Sequence, residues 1–267
     1  MVRPRPLAAP ALRLFVLHHA GGSHLGYRPW TRLLPQDWEV HLVEAPGRIG
    51  SAGPPCTTTG ELTGALLRGL GARLDRPYAL FGHSMGAIAA YELTLALRRE
   101  GLRPPDWLGL SAIAPPEHQP RPVHRFDLDD EPLRAAVERM GGTGRDLLED
   151  PEFWPLLEPV LRADLELAET WRPDRAEPPL SVPLAVYGGD RDEITPPDLL
   201  AGWSARSTRF LGARVLPGPH FYFQPDPAPL LAQMMVDPIG LILRWYDELQ
   251  VAQVSLARLV GVRDIEP

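Results

Sequence analysis

The chain has 267 residues and a net charge of −7, and no basic stripe runs along a helical pattern, which argues against a nucleic-acid partner. With 44% hydrophobic and 23% charged residues it has the composition of an ordinary globular protein, and its 32 prolines and 24 glycines are too few to signal disorder. The prolines are therefore expected to stiffen loops.

Cys56 is the only cysteine, which excludes an internal disulfide and fits a reducing compartment. It lies in a Pro/Thr-rich loop and makes a poor nucleophile. The first eleven residues are broken by Pro and Arg and lack the apolar core of a signal peptide. No apolar run is long enough to span a bilayer. A cytoplasmic chain without membrane contact is the expectation.

In chain order, Leu12 to Leu17 reads as a buried strand that ends in His18-His19-Ala20-Gly21-Gly22-Ser23. Tyr27-Arg28-Pro29-Trp30 opens a short helix. Trp38 to Glu44 alternates as a strand and closes at Ala45-Pro46-Gly47-Arg48. Thr58 and Glu61 have capping-box spacing, and the helix after them puts Leu62, Leu66, Leu70 and Leu74 on one side. Tyr78 to Phe81 is a short apolar strand, and Ala87 to Arg99 is helical. Trp107 to Ile113 is another buried strand. Strands alternating with helices at this spacing predict a mostly parallel sheet flanked by helices.

The pattern then changes. From about 115 to 177 there are helical pieces only: Glu131 to Met140, Thr143 to Leu148 and Pro151 to Thr170. A stretch this long is more than a connection, and it is expected to form a lid. Strands resume at Pro183 to Tyr187 and Phe210 to Leu216. Pro229 to Val260 reads as helix, interrupted near Pro238-Ile239-Gly240. Nothing suggests a second domain, so residues 1–267 are expected to form one.

Between the Tyr78–Phe81 strand and its helix lies Gly82-His83-Ser84-Met85-Gly86, a G-x-S-x-G string in the setting of a nucleophile elbow. The turn is tight enough to push the serine Oγ out over the sheet, and a Cβ at either glycine would collide with its neighbours. A serine hydroxyl needs a base to attack, and the base needs an orienting acid. The hydrolase order is Ser, acid, His, each at the end of a strand. Ser84, the Asp190/Asp192 pair and His220 follow that order. The spacing from Gly189 favours Asp192 as the acid, with Asp190 as its rival. His18 and His19 precede Ser84 and suit an oxyanion loop better than a base, and His83 points away from Oγ. The Met85 N–H and one from the His19-Ala20-Gly21 turn, Ala20, are the candidate oxyanion donors. No zinc motif, Walker-A loop or dinucleotide fingerprint competes, so neither a metal nor a cofactor is expected.

Ala20-Gly21-Gly22-Ser23, Tyr27-Arg28-Pro29-Trp30, Pro46-Gly47-Arg48, Phe81-Gly82-His83-Ser84-Met85-Gly86-Ala87 and Leu161-Arg162-Ala163-Asp164 resemble the motifs of type II thioesterases. These are the stand-alone editing enzymes of polyketide and nonribosomal peptide assembly lines. The resemblance runs from about Leu14 to Gln224. It implies an α/β-hydrolase fold and hydrolysis of acyl groups from the phosphopantetheine arm of an acyl or peptidyl carrier protein, with the helical insertion as a mobile lid. The sequence departs from the family at His18, where a proline is usual. It departs again at Gly218-Pro219-His220-Phe221, where Pro219 fixes φ and removes an N–H. The C-terminal helical stretch, with Met234-Met235 and Leu241 to Leu249, is longer than the family needs; it reads as a packed terminal helix pair, with a partner contact or self-association as the alternative. The same elbow and lid would serve an acyltransferase or product-releasing cyclase, and a non-catalytic carrier- or acyl-binding scaffold is the third reading.

Overall fold

The computed structural model describes residues 1–48, 51, 53–119 and 123–236. Its strands are β1 (Leu12–Leu17), β2 (Trp38–Val43), β3 (Tyr78–His83), β4 (Trp107–Ser111), β5 (Leu184–Gly189) and β6 (Phe210–Leu216). They form one six-stranded sheet in the order β2-β1-β3-β4-β5-β6, and every pairing is parallel. Strands β2 to β5 are buried at every position, as expected when both faces of a parallel sheet are covered, and in the alternating β2 this includes Glu39 and His41, which pair with each other. The edge strand β6 is largely half-buried or exposed.

The α-helices are α1 (Thr59–Leu70), α2 (Met85–Arg99), α3 (Asp130–Met140), α4 (Arg145–Glu149) and α5 (Trp154–Thr170). Helix α1 begins with the Thr58–Glu61 capping box, in which each side chain takes the other residue's backbone N–H. Its buried face carries Leu62, Leu66 and Leu70, which with Leu74 join helix α2 and the sheet in one hydrophobic core. The opposite sheet face is covered by Tyr27, Trp30, the Phe221-Tyr222-Phe223 run and Leu230, Leu231 and Met234. Those last three lie on a helical segment at 228–236. The rest of the C-terminal stretch, with its suggested self-association, lies outside the described residues.

Between β4 and β5 the described residues contain helices and turns, apart from a single-residue bridge from Leu180 to Ser207. Helices α3, α4 and α5 share a small core of their own, in which Leu133, Val137, Leu148, Trp154, Leu157, Leu161 and Leu165 meet. No helical periodicity announced the 3-10 helix Pro197–Arg206, which opens on the Pro196-Pro197 pair. No described helix is long and apolar enough to cross a membrane.

The elbow is tighter than its sequence boundaries suggested. Strand β3 runs on through Gly82 and His83, and α2 begins at Met85, so Ser84 alone makes the turn. Its φ of 56° and ψ of −118° are strained for a residue with a Cβ. The two glycines allow this by close approach. A Cβ on Gly82 would lie 2.0 Å from the Gly86 carbonyl oxygen, and one on Gly86 would lie 2.2 Å from the Leu17 carbonyl oxygen. Helix α2 is thereby pressed onto the end of β1.

Candidate active site

The strand order brings the candidate residues together in two pairs. Strands β1 and β3 are neighbours with Leu17 opposite Gly82, so the loop after β1 and the elbow after β3 open side by side. Chain direction across the sheet diverges at that point, where parallel sheets form a crevice at their carboxyl ends. Strands β5 and β6 are also neighbours, with Gly189 opposite Leu216, which sets the loop of Asp190 and Asp192 beside that of His220.

Asp192 and Asp190 divide the work of the β5 loop. Asp192 is buried; its Oδ2 accepts from His220 Nδ1 at 2.9 Å, and its Oδ1 accepts the backbone N–H groups of Ile194 and Thr195, each at 2.9 Å. The carboxylate is thus fixed at one oxygen and presents the other to the imidazole. Asp190 is exposed and accepts the Gly218 N–H at 2.8 Å. It ties down the histidine loop without touching His220. With Nδ1–H donated to Asp192, the other ring nitrogen, Nε2, is the one free to act as a base. It is buried and has no partner among the described residues. The His220 ring lies 5.1 Å, centroid to centroid, from that of His83, the residue before Ser84. Ser84 is half-buried, and its hydroxyl makes no capping bond to α2.

The backbone N–H groups of Ala20 and Met85 have no partner among the described residues. Met85 N–H is the first of α2, a position whose donors no helical carbonyl can satisfy. Ala20 sits in the His19–Gly22 turn, which is closed by Gly22 N–H on the His19 carbonyl at 3.0 Å. The turn is braced from the insertion: the Gly21 N–H donates to Asp164 Oδ2 of α5 at 2.7 Å. Arg48 pairs with the same carboxylate and donates at 3.4 Å to the Gly22 carbonyl and at 3.1 Å to that of Pro46. Sequence reasoning gave neither residue a role. The only signal was that both stand in motifs without a catalytic candidate of their own, Pro46-Gly47-Arg48 and Leu161-Arg162-Ala163-Asp164.

The other histidines near the site are structural. The His18 Nδ1–H donates to the His19 carbonyl at 2.8 Å while Nε2 accepts from Ala45 N–H at 3.2 Å, which fixes a neutral tautomer. His19 Nδ1 pairs with the Tyr27 hydroxyl at 3.0 Å. His83 Nδ1 pairs with the Ser111 hydroxyl at 2.8 Å, and Ser111 with that of Tyr222 at 2.7 Å. His83 therefore points into the protein, away from the elbow's open side. The Cys56 thiol is pushed up by burial and by nearby Glu61, which leaves it a weak nucleophile. Among the described residues no group of His, Cys, Asp and Glu could hold a metal ion.

Burial holds His18 and His83 well below the usual imidazole range and His19 at about 3, with neighbouring positive groups adding to the effect. Burial pushes Asp164 up to about 6, against the pull of Arg48 and the Gly21 N–H. A histidine neutral in the folded chain takes up a proton on unfolding once pH falls below about 6.5, so its contribution is full above that pH and lost below it. Asp164 acts the other way and releases a proton on unfolding between its usual carboxylate range and about 6. His41, lowered by burial, and Glu92, raised by burial, act in opposite directions. A net uptake of about two protons is expected between pH 5 and 6, or about 2–3 kcal/mol of stability lost per pH unit. Urea midpoints measured from pH 7 to pH 5 check this, and a flat profile would contradict neutral burial of the three histidines.

A parallel sheet whose strand runs into such an elbow defines the α/β-hydrolase class. Within that class, residues 12–235 match the family described as Thioesterase domain, and the chain belongs to it. Linear gramicidin dehydrogenase LgrE of Brevibacillus parabrevis is 32% identical over 244 residues, which span 87% of this chain and 89% of that protein. The present chain contains no G-x-G-x-x-G string, the usual mark of dinucleotide binding. RedJ, a thioesterase from the prodiginine biosynthetic pathway in Streptomyces coelicolor, is 34% identical, with a TM-score of 0.77 over 86% of this chain and 91% of its own. BorB, the type II thioesterase from the borrelidin biosynthetic cluster, is 32% identical, with a TM-score of 0.79 over 88% of this chain and 96% of its own.

Proposed function

We propose that the chain hydrolyses acyl thioesters carried on the phosphopantetheine arm of an acyl or peptidyl carrier protein. The observation that carries the chemistry is the Asp192–His220 hydrogen bond, which commits Nδ1 and leaves Nε2 free. The carrier-bound substrate is supported by likeness to RedJ and BorB, whose names tie them to biosynthetic pathways.

In this mechanism Ser84 Oγ attacks the thioester carbonyl while its proton passes to His220 Nε2. The imidazolium is stabilised by Asp192. The carbonyl electron pair collects on oxygen, where the Met85 and Ala20 N–H groups receive it. Collapse of the tetrahedral intermediate breaks the C–S bond, and the pantetheine sulfur leaves with the proton from Nε2. Water then gives a proton to Nε2 and attacks the Ser84 ester. A second collapse releases the carboxylic acid and returns the proton to Ser84. The helical insertion serves as the lid over this path, and the chain works as one domain.

The test is release of free acid from an acylated carrier protein and from the matching acyl-N-acetylcysteamine thioester, followed by mass spectrometry. Free acid from both, faster from the carrier, is expected. A cyclised or transferred product would replace hydrolysis by the acyltransferase or cyclase reading. No turnover of either substrate would leave the binding scaffold.

A further inference from the structure

Two buried, oppositely charged side chains outside the proposed triad converge on the loop that holds Ala20. Asp164 lies on α5, in the insertion, and Arg48 follows β2; both are buried. Their contacts with the loop run in complementary directions. Asp164 takes the Gly21 N–H, and Arg48 gives to the Gly22 carbonyl while pairing with Asp164. The Ala20–Gly21 and Gly22–Ser23 peptide groups are thereby pinned from outside the loop. The apolar neighbours point the same way. Ala20 packs against the α3–α5 core, and Gly21, at φ +70°, leaves room for Leu161: a Cβ there would lie 2.9 Å from Leu161 Cδ1.

Loops with paired peptide groups usually satisfy them with water or with each other. Here a desolvated ion pair does so, although such pairs add little stability over an apolar replacement of similar volume. What the ion pair supplies that an apolar pair cannot is a fixed orientation for the Gly21 and Gly22 peptides, and through them for the Ala20 N–H. Oxyanion donors work only when they are aimed before the charge develops.

We infer that Arg48 and Asp164 are positioning residues that set the oxyanion loop, so that the insertion helix α5 is a working part of the hole as well as a cover. This rests on the proposed thioesterase reading. Any displacement of α5 away from the loop breaks the same Gly21–Asp164 bond, which couples the seating of the insertion to the aim of the Ala20 N–H.

The test uses the full chain and three variants: Asp164→Asn, Arg48→Lys, and the double replacement Arg48→Met with Asp164→Leu. The double variant removes both charges together and so avoids leaving one buried and unpaired. Steady-state hydrolysis of an acyl-N-acetylcysteamine is measured with thermal unfolding and with the Kd of the corresponding acyl trifluoromethyl ketone, whose adduct with Ser84 places an oxyanion in the hole. For the folded double variant, kcat is expected to fall about 10- to 100-fold with KM within about twofold. Affinity for the ketone should weaken by a similar factor. Asp164→Asn keeps an acceptor for Gly21 and should recover part of both losses; should the double variant not fold, Asp164→Asn and Arg48→Lys are read against wild type for the same parallel loss in kcat and ketone affinity. Unchanged kcat in folded variants overturns the inference, as does a loss confined to KM or one that merely follows the folded fraction. Wild type inactive on the thioester would instead overturn the functional reading beneath it.

Discussion

Ser84→Ala is expected to remove thioester hydrolysis almost completely, with a fall in kcat of about 10⁴-fold or more. The size follows from the loss of the covalent route. Without Oγ, only the oxyanion donors and binding remain to assist a water. The variant should fold as well as wild type. The Ser84 hydroxyl makes no capping bond, and alanine bears the strained φ of 56° no worse than serine. The elbow is held by backbone contacts instead, from Ser84 N–H to the Ser111 carbonyl at 2.8 Å and from Ala87 N–H to the Ser84 carbonyl at 2.9 Å. Acid release is followed by mass spectrometry, and labelling by a fluorophosphonate probe should vanish in parallel. An active, well-folded Ser84→Ala enzyme would end the proposal that this serine is the nucleophile.

Asp192→Asn is expected to lower kcat by about 10⁴-fold, whereas Asp190→Asn should change it less than about threefold. The two positions are only two residues apart, and the contrast comes from what each carboxylate touches. At 192 an amide can still accept the Ile194 and Thr195 N–H groups through Oδ1, so the loop keeps its shape. Its NH₂ then faces His220 Nδ1 and can only donate. The imidazole is forced into the tautomer with the proton on Nε2, where it cannot accept one from Ser84. At 190 the amide oxygen still accepts the Gly218 N–H, and no ring depends on the charge. Equal losses at both positions, or the larger loss at 190, would reassign the acid. The pH dependence of kcat in Asp192→Asn gives an independent readout, because a displaced tautomer slows turnover across the whole neutral range.

Much of the fold was legible because its strands are covered on both faces. Burial of that kind demands continuous apolar runs, and Leu12–Leu17 falls where its run was read; Phe210–Leu216 matches its expected bounds too, although this edge strand is half-buried or exposed. The Thr58–Glu61 cap and the leucines of α1 were legible for an equally local reason, since capping and helical spacing are properties of neighbouring residues. Boundaries at the elbow were less so. Gly82 and His83 have weak strand preference, yet β3 continues through them, because its partner strands extend the ladder and His83 finds Ser111 opposite it on the adjoining strand β4. The 3-10 helix Pro197–Arg206 had no periodic signal, and it is held by Leu200 and Trp203 packing into the core.

The sequence by itself determined the order of the chemistry: an elbow serine, then a carboxylate pair, then a histidine, each after an apolar strand, in a chain of the thioesterase family. It also determined the two glycines, because a Cβ at Gly82 or Gly86 meets backbone wherever the elbow forms. The spacing from Gly189 favoured Asp192 over Asp190, and the tertiary structure decided which carboxylate meets His220. Asp190 and Asp192 have the same chemistry, and only the pairing of β5 with β6 turns one toward the imidazole and the other toward Gly218. It alone also joined Arg48, Asp164 and Gly21, which stand far apart in the chain. Local preference cannot encode such a meeting. It arises when β1 and β3 place the Ala20 loop beside the elbow and the α3–α5 core closes over it.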